Sequence, residues 1–351
     1  MAERDEDKNI KPTVLITGCS DGGLGSALAL AFHDAGFHVY ATARDGAKMG
    51  QLYAVAAARP GLETLPLDVQ SAASIAGCAA RVPRLDVLVN NAGAMMTMPV
   101  ADVSIPQAKA LFDTNVWGVL AVTQAFLPRL LESAARRRGR DGNGNGGGGG
   151  CGGVVVVNTS VASTVPVPFY GVYGASKAAM AMLCDTMRLE LEAFGVHVVE
   201  LKTGAVGPTN LITNNTSLFP AGGGGTVAEK NGGSVTGPRG GGGSSSSNAL
   251  ILPEKSIYAP ARDMVEGIMR RGYDGEWMAP AEWARAVVRD LDRGKAAPPA
   301  RIWRGKSALL GWLVQFLPSA LVGGSVKRET RYTQVEEVLR LARTYPCNDA
   351  E

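Results

Sequence analysis

Residues 14–25 read VLITGCSDGGLG. A β-branched apolar run, Thr13–Thr17, ends in a loop holding Gly18, Gly22, Gly23 and Gly25, and a helical pattern, Leu24–Ala35, opens at once. Glycines let backbone approach a pyrophosphate, and a helix N-terminus offers free N–H groups and the positive end of the helix dipole. Such a loop means little by itself. Placed after a strand and at the head of a βαβ unit, it points to a dinucleotide site.

The pattern continues outward. Strands are expected at His38–Ala43, Thr64–Leu67, Val87–Asn90, Val154–Asn158 and His197–Leu201, several of them almost wholly apolar, as parallel strands covered on both faces are. Helices are expected between them at Ser71–Val82, Phe112–Ser133 and Tyr170–Ala193. This alternation predicts an α/β protein: a Rossmann-type doubly wound parallel sheet with helices on both faces, in a single domain. We expect a disordered tail over 1–11, the Rossmann-type domain over 12–306 and an apolar, basic C-terminal extension over 307–351. Two glycine-rich tracts, 140–153 and 221–248, hold 20 of the 45 glycines and read as disordered insertions, because they cannot bury enough apolar surface to offset ordering entropy.

Composition narrows the function. The 351 residues are 46% hydrophobic with a net charge of +3, too small a charge for a nucleic-acid partner. Five scattered cysteines without a CxxC pair argue for a reducing compartment and against disulfides or zinc. His33, His38 and His197 do not cluster with other ligand types, so no metal is expected. The charged N-terminus lacks the apolar run of a secretory signal. From these features an intracellular protein is expected. The segment Ser307–Val322 (SALLGWLVQFLPSALV) is strongly apolar, flanked by Arg301, Arg304 and Lys306 and by Lys327, Arg328 and Arg331, and interrupted by Pro318. It reads either as an interfacial helix on a membrane surface or as a docked helix or greasy substrate mouth.

The end of the second strand selects the cofactor. A ribose-binding carboxylate there favours NAD, whereas arginine accommodates the 2′-phosphate of NADP. Arg44 stands at that point and favours NADP(H), with Asp45 and Asp21 as acidic neighbours pulling the other way. Asp68-Val69 follows the third strand, where a carboxylate can accept from adenine. Asn90-Asn91-Ala92-Gly93 follows the fourth, where small residues pack against the cofactor. Gly18, Ser20, Gly22, Gly23, Leu24 and Gly25 complete the expected dinucleotide contacts.

Tyr173 and Lys177 are four apart on a helical stretch and so share a face. A carbonyl that receives hydride needs a proton. A nearby ammonium favours a phenolate, which brings tyrosine from its usual pKa near 10 toward the working range. Lys177 supplies that ammonium and can reach ribose hydroxyls. The Ser160 hydroxyl, just past the fifth strand, can donate to the developing oxyanion. The Asn115 amide can hold a water linking Lys177 to solvent.

These residues together resemble the short-chain dehydrogenase/reductase family, from about Pro12 to Gly207 with a seventh strand near Arg301–Trp303. The resemblance rests on the glycine loop, Leu67-Asp68-Val69, Asn90-Asn91-Ala92-Gly93, Asn115, Ser160 and Tyr173-Gly174-Ala175-Ser176-Lys177. It implies Tyr173 as proton donor or acceptor, Lys177 lowering its pKa and binding ribose, Ser160 orienting substrate and Asn115 completing a proton relay. It also implies that Val206 and Thr209 meet the cofactor and that the protein forms homo-oligomers. Three stretches, TGCSDGGLGSALA, LFDTNVWGVLAVTQAFLP and LKTGAVGPT, look like the fungal NADPH-dependent 1-acyl-dihydroxyacetone-phosphate reductases. That branch implies a lipophilic ketone substrate and contact with a membrane or lipid-droplet surface through 307–322, in the cytoplasm or peripherally on the endoplasmic reticulum. A secondary-metabolite ketone reductase or alcohol dehydrogenase and a non-catalytic NADP-binding protein are the alternatives. In this chain the glycine loop is one residue longer than the common spacing, so Gly22 and Gly23 compete for one role. Thr203-Gly204 stands where Pro-Gly is usual.

Overall fold

The computed structural model describes residues 11–140, 152–211, 252–271, 275–292 and 297–344. Apart from Lys11, Arg140, Gly152 and Gly153, the expected tail and both glycine-rich tracts lie outside the described residues.

Seven parallel strands form one sheet in the order β3-β2-β1-β4-β5-β6-β7. They are β1 (Thr13–Ile16), β2 (His38–Ala43), β3 (Leu62–Pro66), β4 (Val87–Asn90), β5 (Val154–Asn158), β6 (His197–Thr203) and β7 (Arg301–Arg304). The order reverses between β1 and β4, the switch point outside whose strand ends ligands bind in open α/β sheets. The helices are α1 (Leu24–Asp34), α2 (Gly50–Ala58), α3 (Ala72–Arg81), α4 (Ile105–Phe112), α5 (Gly118–Arg140), α6 (Gly171–Glu192), α7 (Arg262–Arg271), α8 (Pro280–Leu291), α9 (Ala308–Val314), α10 (Ser319–Glu329) and α11 (Tyr332–Thr344). A π-helical turn, Asp113–Trp117, joins α4 to α5.

Strand periodicity builds two cores. Val14 and Ile16 join Phe32 of α1 and Trp283 and Val287 of α8 on one side of the sheet. Leu15, between them, joins Leu88, Val155, Phe126 of α5 and Met180 of α6 on the other. Side chains of a strand alternate between faces, so consecutive apolar residues feed both layers. Ile105–Arg137 is long and apolar enough to cross a membrane, but its Val119, Val122, Phe126 and Leu130 are core residues against the sheet.

A third cluster gathers Phe169, Val265 and Met269 of α7, and Val335 of α11. The C-terminal extension is thus packed into the body of the molecule. Within it, the apolar run breaks at Pro318, which precedes α10 with an extended backbone.

Candidate active site

A cavity of about 610 Å³ opens along the carboxyl ends of the strands, lined in turn by the loops after β1 to β6. Gly18 turns the chain there with φ +74°, and a Cβ on it would lie 2.8 Å from Ala92 Cα, so the loops after β1 and β4 touch backbone to backbone. Asn91 welds them. Its Nδ2 donates to Thr17 O at 2.9 Å and Gly18 O at 3.2 Å, while its Oδ1 accepts from Asn158 Nδ2 at 2.9 Å. The Thr17 hydroxyl accepts from the backbone N–H of Asn91 and of Ala92.

Of the expected cofactor residues, Gly18, Ser20, Gly23, Leu24, Arg44, Asp68, Val69, Ala92, Gly93, Val206 and Thr209 line this cavity, with Tyr173 and Lys177. Three do not. Gly25 is where α1 meets the loop: a Cβ would sit 2.3 Å from Gly18 O, so its glycine serves packing. Gly22 makes the turn at φ +70° beside Asn210, leaving Gly23 at the cavity and at the start of α1. The extra loop residue therefore gives the two glycines separate roles. Asn90 points into the core, where its Nδ2 donates to the Thr123 hydroxyl at 2.9 Å. Its neighbour Asn91 is the one at the cavity.

The acidic neighbours of Arg44 are occupied elsewhere. Asp45 accepts from Ala47 N at 3.0 Å and caps a short 3-10 turn, Gly46–Met49. Asp21 accepts from Gln51 N at 3.1 Å. Neither lines the cavity, whereas Lys48, absent from the sequence reading, lines it beside Arg44. Among the described residues neither cation has a hydrogen-bond or ion-pair partner.

Tyr173 and Lys177 lie one turn apart on α6, 6% and 7% exposed. Lys177 Nζ donates to Asn158 O at 2.9 Å and stands 5.9 Å from the centroid of the Tyr173 ring. Ser160, from the loop after β5, lines the same cavity and favours the Tyr173 phenolate, and its Oγ accepts from Ala162 N at 3.1 Å. The three groups meet on one wall. Burial pulls the Lys177 ammonium down to about 8. Burial also pushes the Tyr173 phenol above its ordinary 10, against the opposing pull of the Ser160 hydroxyl. The expected lowering of the tyrosine by Lys177 is therefore not the dominant influence here: loss of hydration at the phenolate is.

Asn115 sits in the π-helical turn, 1% exposed. Its Nδ2 donates to Ala94 O at 2.9 Å and Ser176 Oγ at 3.0 Å, and its Oδ1 accepts from Ala94 N at 2.8 Å. Both amide hydrogens are spent, one on the loop after β4 and one on Ser176 of α6, so a relay water held by that amide can use only its carbonyl oxygen.

The apolar part of the lining escaped the sequence reading. Met95 and Tyr170 pack in one cluster with Tyr173; Met264, Ile268 and Trp277 extend the apolar lining, and Arg331, in the turn between α10 and α11, and Gln334 of α11 border it. Burial pushes the Tyr170 phenol up to about 12. Tyr170 alone carried a local signal, one helical turn before Tyr173. The rest come from segments whose approach only the tertiary fold defines.

A family model described as short chain dehydrogenase matches residues 12–217. A short-chain dehydrogenase/reductase of Pestalotiopsis microspora is 43% identical over 95% of this chain and 98% of its own length. The NADPH-dependent 1-acyldihydroxyacetone phosphate reductase of Schizosaccharomyces pombe is 32% identical over 90% of this chain and 92% of its own. Among solved structures, a short-chain dehydrogenase from Streptomyces avermitilis superposes with a TM-score of 0.61 at 26% identity, covering 95% of this chain and 98% of that one.

Proposed function

The chain belongs to the short-chain dehydrogenase/reductase family of oxidoreductases, and from that membership we propose that it reduces a lipophilic ketone to an alcohol with NADPH, Tyr173 giving the proton. The observation that carries this reading is the meeting of the Tyr173 phenol, the Ser160 hydroxyl and the Lys177 ammonium on one cavity wall.

The residues present fit an NADP(H) molecule. The glycine loop and the start of α1 present backbone to the cavity, and Arg44 and Lys48 offer two cations without partners among the described residues, suited to a 2′-phosphate. The cofactor assignment has further support in the Schizosaccharomyces pombe relative, whose name specifies NADPH. A bound NADPH supplies the hydride. The protein's own part is to hold the substrate and manage a proton. Tyr173 donates to the carbonyl oxygen as charge develops there, and its burial keeps the phenol protonated at neutral pH. The Ser160 hydroxyl donates to the same oxygen and stabilises the charge developing on it. Lys177, with a pKa near 8, is still largely an ammonium at neutral pH and binds ribose hydroxyls. Asn115 fixes the loop after β4 and offers its carbonyl oxygen to a relay water.

The substrate reading rests on the apolar part of the lining, which favours a lipophilic ketone, and on the Schizosaccharomyces pombe relative, which favours a 1-acyl-dihydroxyacetone phosphate. We place the enzyme at a lipid surface, because α9 is inverted. Its buried residues are Ala308 and Gly311, while Leu309, Leu310, Trp312 and Leu313 face outward, followed by exposed Phe316, Leu317 and Leu321. Exposed apolar patches of this kind mark interaction sites.

The test is a panel of ketones with NADPH, followed by absorbance loss, on wild type and Tyr173→Phe. The variant is expected to bind NADPH normally and to lose turnover by ~10²–10⁴-fold. Unchanged turnover defeats the assignment. Preference for a polyketide or terpenoid ketone over the acyl-dihydroxyacetone phosphate moves the enzyme to secondary metabolism.

A further inference from the structure

Two charged side chains lie where the sheet should be apolar. Glu200 and Lys202 sit two apart on β6, between β5 and β7, and so project to the same face. Their side chains are 1% and 5% exposed, and Lys202 Nζ stands 2.8 Å from Glu200 Oε1. Burying an ion pair costs desolvation that its mutual attraction often fails to recover, and a matched apolar pair usually serves stability as well or better. The pair therefore calls for another explanation, and its remaining contacts offer one.

Glu200 Oε1 accepts from the Thr159 hydroxyl at 2.9 Å, and Oε2 accepts from Arg301 Nε at 3.2 Å. Lys202 Nζ donates to Ser163 Oγ at 2.7 Å and lies 5.3 Å from the centroid of the Trp303 ring. Ser163 Oγ in turn donates to the backbone carbonyl of Ser160 at 2.7 Å. One end of the pair thus grips the residue before Ser160, and the other end grips the carbonyl of Ser160 itself through one hydroxyl. Between these two anchors the Ser160 backbone is extended, at φ −152° and ψ 157°, before the chain tightens into a 3-10 turn, Val161–Ser163. From outside, Gly311 of α9 packs against Val161, where a Cβ would come within 3.2 Å.

We propose that Glu200 and Lys202 are positioning residues that hold the Ser160 hydroxyl in register with the Tyr173 phenol. The inference rests on the role given to Ser160 above. Neither side chain lines the cavity, so their effect reaches the reaction only through the 159–163 loop.

The test is a double-mutant cycle on the full chain, using NADPH and a ketone that the wild type turns over. Lys202→Met leaves Glu200 buried with only one of its two cationic neighbours, Arg301, so it is paired with Glu200→Leu/Lys202→Met, which removes both charges of the pair. The double variant is expected to keep its Tm at or above wild type and its NADPH Kd within about twofold, while kcat falls on the order of 10–100-fold, somewhat less than loss of an oxyanion donor outright. In a Ser160→Ala background the same double change is expected to cost less than about twofold, because groups acting as a unit are non-additive. Three results overturn the proposal: an unchanged kcat, a full additional loss in the Ser160→Ala background, or a double variant that fails to fold, which makes the pair structural. If Ser160→Ala alone leaves kcat intact, the role of Ser160 falls, and this inference with it. An additive cycle on a severe Ser160→Ala sinks only the inference.

Discussion

At the scale of single residues, Lys177 is the most exposed to test. It carries an ammonium in a buried place, with its pKa drawn from 10.5 to about 8. Below that lower value both folded and unfolded chains hold the proton, and the fold bears the full cost of the buried charge. Between the two values the unfolded chain binds more protons, so stability rises with pH as Lys177 becomes neutral. Lys177→Met is therefore expected to raise Tm at neutral pH while turnover collapses. Its advantage over wild type should narrow as the pH approaches 10. Thermal melts across that range check it, and a gap constant with pH would move the strain to another group. The residue scale also shows where reading a sequence stops. Asn90 and Asn91 are neighbours of identical chemistry, and only their alternation at the end of β4 sends one to Thr123 and the other to the glycine loop. Tyr173 and Lys177 were legible because helical spacing fixes their common face. Ser160 was legible by its place after a strand, but its anchors Glu200 and Lys202 were not. Their partnership with the 159–163 loop crosses from one strand to the next.

At the scale of elements, β2 and the 3-10 turn behind it act as one device. The strand ends at Ala43, Arg44 follows, and Asp45 turns back to cap Ala47 N, which leaves Lys48 beside Arg44 at the cavity. Arg44→Ala and Lys48→Ala are each expected to weaken NADPH by ~10–100-fold, the worth of a charge-assisted hydrogen bond, and to leave NADH nearly unchanged. Fluorescence titration with both cofactors decides it; equal losses would mean that the 2′-phosphate is read elsewhere. The sheet strands were legible because runs such as Val154–Asn158, buried on both faces, leave little else for an apolar segment of that length to be. Their limits shifted by a residue or two, as at β3 and β6. The turn Asp113–Trp117 was not legible. Its residues carry a helical pattern, and the widened π geometry follows from the demand that Asn115 reach Ala94 and Ser176 together.

At the scale of the whole molecule, the C-terminal extension has two faces with different duties. Val335 and Ala308 tie it into the body, and the turn between α10 and α11 borders the substrate cavity. The outer face of α9 carries the exposed leucines with Trp312 and Phe316. Truncation from Ser307 would remove both, so single outward substitutions separate them. Leu309→Glu with Leu313→Glu is expected to leave Tm and turnover of a water-soluble ketone near wild type and to release the protein from lipid vesicles in a flotation assay. If wild type already stays in the aqueous fraction, the lipid-surface reading fails. The sequence held both interpretations of this segment open because composition alone does not say which side of a helix faces inward. The small residues Ala308 and Gly311 decide it by packing against β7 and the loop that carries Ser160.

One consequence concerns synthesis. The glycine loop, the ends of β1 to β6 and the side chains proposed to react all precede Gly204, whereas α7 and the turn between α10 and α11 line the cavity from segments made later. A growing chain thus carries the groups expected to grip a dinucleotide, all but Val206 and Thr209, before the segments that enclose the rest of the cavity.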